Sequence, residues 1–185
     1  MKNVEAQVDK RWYRGLAART SYLAQDRVDI QYPAKEACRA MNDPGEEDVR
    51  RLEHVTRFLQ GAGRLIMRYD WQEEKATLTG YSDSDWAGCR RTSQSTSGGV
   101  ITIGKHYIKS WSRTQKCVTL SSAEAELVAL AKVSAEIKGI QSVMADWGMK
   151  VEGEIYCDSS AALAMTQRRG VGKLRHIDVA MTWMQ

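Results

Sequence analysis

No apolar run in this sequence approaches the roughly 18 residues needed to span a bilayer, and the N-terminus lacks the apolar stretch of a signal peptide. A soluble, intracellular chain with no membrane partner is expected. The four cysteines, Cys38, Cys89, Cys117 and Cys157, are scattered and form no C-x-x-C pair. That pattern offers neither a zinc site nor a disulfide framework, and it predicts reduced thiols. An excess of one charge is also missing: 27 Lys and Arg face 23 Asp and Glu, for a net charge of +4. So mild an excess is compatible with a polyanionic partner but does not require one. Internal repeats and low-complexity segments are absent.

What is present is an ordinary globular composition, with 185 residues, 43% hydrophobic and 27% charged. A chain of this size can bury one proper core plus a small appendage. Residues 11 to 68 read as helical. In "EEDVRRLEHVTRFLQG", Val49, Leu52, Val55, Phe58 and Leu59 form one stripe, with acids in the first turn and Gly61 expected just past the end. "RWYRGLAARTSYLAQ" and "VDIQYPAKEACRAMN" suggest two shorter helices, the second with Pro33 in its first turn.

After "YDWQEEK" the period changes. "ATLTGYSDSDW" alternates, and "TSGGVITIGKHYIKSWS" reads as two strands turning at Gly104 and Lys105. "SSAEAELVALAKVSAEIKGIQSVMADWG" is a long amphipathic helix, and "GEIYCDSSAALAMTQ" is a short strand running into another helix. The order predicts an α/β domain in which three hairpin-linked strands precede a crossover helix to a fourth.

Three carboxylates stand out. Ser121 and Glu124 fit a capping box, which gives Glu124 a structural role. Glu126 has no such role. At about 100° per residue it falls on the stripe of Leu130, Val133, Ile137 and Met144, with Glu124 roughly 160° away. A carboxylate aimed at the buried face needs a partner, either a Lys or Arg or a cation shared with other acids. Asp158 ends the strand "EIYCD", where it is either the cap of the next helix or a ligand at a strand end. Asp83 is similarly placed on the first strand, with Asp85 two residues on. Acids converging from two strand ends and a helix start suit hard divalent cations, above all magnesium. Two such ions about 3.5–4 Å apart would serve a phosphodiester displacement.

"GYSDSDWAGCRRTSQSTSGGV", "SWSRTQKCVTLSSAEAELVAL" and "IYCDSSAAL" together resemble the ribonuclease H domain of copia-type LTR retrotransposon Pol polyproteins. "LRHIDVAMTWM" resembles the helix that follows in that family. The resemblance covers residues 76–185, and residues 1–70 resemble the helical C-terminal end of the family's reverse transcriptase. It implies a ribonuclease-H-like mixed sheet with flanking helices, preceded by a small helical segment and lacking its last strand and helix. It also implies cleavage of the RNA strand of an RNA/DNA hybrid with two Mg²⁺ ions, Mn²⁺ serving as a substitute. The remainder of the Pol polyprotein would be a further partner, in a cytoplasmic particle or in the nucleus. The catalytic and metal-holding residues carried over are Asp83, Glu126 and Asp158, with Asp178 as the remaining candidate for a fourth carboxylate.

Basic residues near these acids would hold the hybrid by its phosphates and 2′-hydroxyls: Arg90, Arg91, Lys109, Arg113, Lys116, Arg169, Lys173, Arg175 and His176. The competing function is a catalytically inactive ribonuclease-H-like domain that binds nucleic acid or a partner. A transposase or integrase fits less well, because here the glutamate falls between the two aspartates.

Overall fold

The computed structural model describes residues 8–73, 77–89 and 91–167. The chain divides into two compact units, residues 1–68 and 69–185.

The first unit holds α1 (Lys10–Leu23), a 3-10 turn (Val28–Ile30), α2 (Gln31–Arg39) and α3 (Glu46–Gly61). Asp9 starts α1 by accepting the backbone N–H groups of Arg11 and Trp12 at 2.9 and 3.1 Å. Those donors would otherwise be orphans of the first turn. The helix expected from residue 28 instead opens as the 3-10 turn. Pro33 accounts for this: its ring would strike the carbonyl four residues back, so α2 can begin only a turn before it. Small residues let the helices approach. Ala17, Ala37 and Ala40 pack with Tyr13 and Leu52, and the buried Tyr13 hydroxyl donates to the Ala37 carbonyl at 3.0 Å. Ala24, Ile30, Ala34 and Val55 form a second cluster.

The second unit contains β1 (Thr77–Asp85), β2 (Thr96–Ile103), β3 (His106–Thr114), α4 (Ser122–Asp146), β4 (Glu152–Cys157) and α5 (Ser160–Thr166). The four strands lie in the order β3-β2-β1-β4. β1, β2 and β3 are antiparallel neighbours, and β4 joins β1 in parallel after the crossover through α4. This is the α/β arrangement expected from the sequence, three hairpin-linked strands and a crossover helix to a fourth. The β2–β3 turn falls at Gly104 as expected, with φ at +57°, a conformation that costs glycine nothing.

α4 packs across one face of the sheet. Leu78, Ile101, Trp111, Val133 and Ile137 form the shared core. Gly80 makes the close seat: a Cβ there would lie 2.6 Å from Val133 Cγ1 and 2.8 Å from Ile137 Cδ1. Ser121 caps α4, its hydroxyl accepting from the Glu124 N–H at 3.2 Å. The Glu124 carboxylate reaches back one residue further than a simple capping box, to the Leu120 N–H at 2.7 Å. The helix ends in a Schellman turn, with Gly148 at φ +78° and the Met149 N–H on the Met144 carbonyl at 2.9 Å. Among the described residues no helix is long and apolar enough to cross a membrane. The strand and helix expected to be lacking concern the chain beyond residue 167, outside the described residues.

Candidate active site

Parallel pairing of β1 with β4 assembles the site. Tyr81 is registered with Tyr156 and Ser82 with Cys157, so Asp83 and Asp158 are the next residues along each strand. The two tyrosine rings stack at 5.6 Å and 19° beside them. Strand alternation sends Ser82 and Ser84 toward α4 and Asp83 toward the other face.

Glu126 projects from the second turn of α4 onto this strand end and is only 7% exposed. Ser84 holds one of its oxygens twice: the backbone N–H and the hydroxyl of Ser84 donate to Oε1 at 3.0 and 2.7 Å. The other oxygen, Oε2, has the Cys157 thiol at 3.9 Å. Ligand atoms of Glu126, Cys157 and Asp158 all lie within 4.8 Å of one another. Asp83 stands outside that group but near enough for its charge to act on it. Burial pushes the Glu126 carboxyl above the usual range, the Ser84 hydroxyl and N–H pull it back, and the charges of Asp158 and Asp83 push it up again.

The ordinary alternatives for these acids are not used. The ion pairs of α4 run from Glu136 to Lys109 and Lys132, and Glu126 has none among the described residues. Ser159, not Asp158, caps α5, its hydroxyl accepting the Ala162 N–H at 3.1 Å. Asp85 closes β1, and Gly88 packs directly on its carboxylate, so that acid has a structural role. A buried carboxylate and a second one beside it, with no ammonium or guanidinium paired to them among the described residues, form a group able to hold a divalent cation.

Of the basic residues, Arg91 is exposed in the turn before β2, and Lys116 is exposed after β3. Arg113 lies on β3 opposite Ser97, which in turn pairs with Ser84. Two strand spacings therefore separate Arg113 from the Ser84 position, on the order of 10 Å. The ammonium of Lys109 is committed to Glu136, whose other oxygen takes Lys132 at 2.7 Å. Arg90, Arg169, Lys173, Arg175, His176 and Asp178 lie outside the described residues.

Two members of the site, Ser84 and Cys157, escape a search for carboxylates. Alternation from Ser82 would have found Ser84. For Cys157 the signal is adjacency to Asp158 together with the buried phase of Glu126.

No family model matches the chain. It is 34% identical over 154 residues to the retrovirus-related Pol polyprotein from transposon RE1 of Arabidopsis thaliana, covering 81% of this chain and 10% of that protein. The Pol polyprotein from transposon RE2 of the same plant is 33% identical over 155 residues, again 81% of this chain and 10% of the relative. A solved ribonuclease H1, isolated from compost by a metagenomic approach, overlaps 59% of this chain and 73% of its own, at 20% identity and a TM-score of 0.45. The chain thus spans about a tenth of the length of these two curated relatives. On its sequence the chain fits a fragment of the retrotransposon Pol polyproteins.

Proposed function

We propose that the second unit is a Mg²⁺-dependent endoribonuclease that cuts the RNA strand of RNA/DNA hybrids during retrotransposon reverse transcription. The observation that carries this reading is Glu126: a buried carboxylate, oriented by two donors from Ser84, beside Asp158 and without a counter-cation among the described residues. A structural acid so deeply buried would have a cationic partner or be destabilising. A nucleic-acid enzyme keeps such an acid ready for metal.

In this reading Asp83, Glu126 and Asp158 hold the ions, and Asp178 supplies the fourth carboxylate. The ions would activate the attacking water and stabilise the leaving oxygen of the phosphodiester. The protein's own part is to orient and to exclude. Ser84 fixes Oε1 and leaves Oε2 beside the Cys157 thiol, while β1 and β4 set Asp83 and Asp158 at one height. Arg90, Arg91, Arg113, Lys116, Arg169, Lys173, Arg175 and His176 track phosphates and 2′-hydroxyls, with Lys109 in a supporting place through Glu136. Residues 1–70 are read as the end of a reverse transcriptase. The rest of the polyprotein is the protein partner, and the setting is a cytoplasmic particle or the nucleus.

A second reading, a ribonuclease-H-like domain that binds without cutting, is favoured by one observation: Asp83 stands outside the close ligand group. Incubating the full chain with an end-labelled RNA/DNA hybrid in Mg²⁺ separates the two. Cleavage confined to the RNA strand, abolished in Glu126→Gln and in Asp83→Asn, is expected. A well-folded wild-type chain that retains hybrid in a gel shift but leaves it uncut overturns the enzyme in favour of the binder.

A further inference from the structure

We propose that Cys157 is a metal ligand, and that Glu126, Cys157 and Asp158 together take a thiophilic divalent cation of the zinc, cobalt or cadmium class. The proposal rests on the preceding reading only for the location of the site. Its ligand set is different, and a site for hard ions alone would have no use for sulfur.

The geometry points to three protein ligands around one centre. Cys157 Sγ is 3.9 Å from Glu126 Oε2, and an Asp158 oxygen completes a group within 4.8 Å. Sulfur and oxygen ligands at about 2.3 and 2.1 Å from a shared ion stand roughly 3.6 Å apart in a tetrahedron. The thiol and carboxylate are already close to that separation. Cys157 is registered with Ser82, which is buried toward α4, so its sulfur shares the enclosed side of the strand with Glu126. Glu126 is nine-tenths buried, Ser84 occupies Oε1, and among the described residues the only partner of Oε2 is the thiol. No ion pair neutralises the acids among the described residues. Two carboxylates and a thiolate give three charged ligands with a further position open, a set that favours zinc-like ions over magnesium, which prefers oxygen alone. Binding replaces the thiol proton by the metal, and that proton leaves to solvent.

Such an ion would occupy Glu126 and Asp158 and so exclude the hard ions that the nuclease reading assigns to them. Micromolar zinc or cadmium would then act as an inhibitor competing with magnesium, and Cys157 would set the sensitivity.

The test is a Co²⁺ titration of the full chain followed by absorption. Sulfur ligation produces a thiolate-to-cobalt charge-transfer band in the near ultraviolet, which oxygen ligands do not. The wild type is expected to develop that band, Cys157→Ser to lose it, and Cys117→Ser, altered at the exposed cysteine, to keep it. Asp83→Asn is also expected to keep it, because Asp83 lies outside the ligand group. A band that survives Cys157→Ser, or disappears with Cys117→Ser instead, overturns the assignment. The ¹¹³Cd resonance of the loaded wild type needs no variant: a shift toward sulfur-ligated cadmium supports the proposal, and an all-oxygen shift sinks it. The two readings fail separately. Cobalt binding without a sulfur band, in a chain that cuts hybrid in Mg²⁺, removes Cys157 and leaves the nuclease. The band in a chain that cuts nothing leaves Cys157 and removes the nuclease.

Discussion

The two units treat their acids in opposite ways. In the helical unit, Arg27 is nearly buried and grips Asp29 with Nε and Nη2 at 2.9 and 2.7 Å. Glu36 sits between Lys35 and Arg39 at 2.6 and 2.7 Å, and the acids opening α3 face Arg50 and Arg51. The hydrogen bond from Arg27 holds the Asp29 carboxyl below its usual range, against the desolvation that would raise it. In the second unit Glu126 is as deeply buried as Arg27, yet its carboxyl is raised. Each site contains one deeply buried charged side chain, the cation Arg27 in one and the acid Glu126 in the other, so burial alone does not mark function. In the second unit the buried acid has no counter-cation among the described residues, a cost that a bound cation would remove.

Packing sets the scale for testing this contrast. Leu52 in the helical unit and Leu78 beneath α4 are both essentially inaccessible. Replacing either by Ala is expected to cost about 2–5 kcal/mol in urea denaturation. A loss well below that at either position would mean its core is not packed as described. Gly99→Ala comes next, since the new methyl would meet the Trp111 ring. Overpacking of this kind costs about 1–3 kcal/mol, and tryptophan fluorescence on unfolding would register it.

The charge variants are smaller and more telling, because their signs should differ. With divalent ions chelated at neutral pH, Arg27→Gln is expected to lower the melting temperature, since it strips Asp29 of both donors. Glu126→Gln is expected to raise it, since an amide no longer has to bury a charge. Matching signs would break the comparison.

The smallest effect is in the pH dependence. The raised Glu126 carboxyl makes the ion-free fold less stable above its folded pKa, and the penalty is relieved as pH falls toward the unfolded value. The stability gap between Glu126→Gln and wild type should therefore narrow on acidification through that window and vanish below it. Asp29 behaves oppositely: its lowered pKa gives stability that is present above the unfolded value and lost as pH falls toward the folded one. Carboxyl titration by NMR would order the two groups directly, and finding Asp29 above Glu126 would reverse the argument.

Much of this was legible from local pattern. The helical phase that puts Glu126 with Leu130, Val133 and Ile137 is visible in the sequence, and all four are buried. The hairpin turn at Gly104 and the cap at Ser121 fall where local chemistry places them. Pro33 falls in the first turn of α2 as expected, and its ring is why residues 28–30 form a 3-10 turn ahead of Gln31. Less legible was the company that Glu126 keeps. Its two donors come from Ser84, 42 residues away, and its thiol neighbour is 31 residues away on a strand delivered by a crossover.

The sequence alone determined which side chains can be helix, strand, core or acid, because periods of 3.6 and 2 follow from backbone geometry that each segment carries by itself. Only the tertiary structure decided that Cys157 joins Glu126 and Asp158 while Asp83 turns to the other face. That outcome depends on the parallel register of β1 with β4, and a slip of one residue would exchange every inward side chain for an outward one.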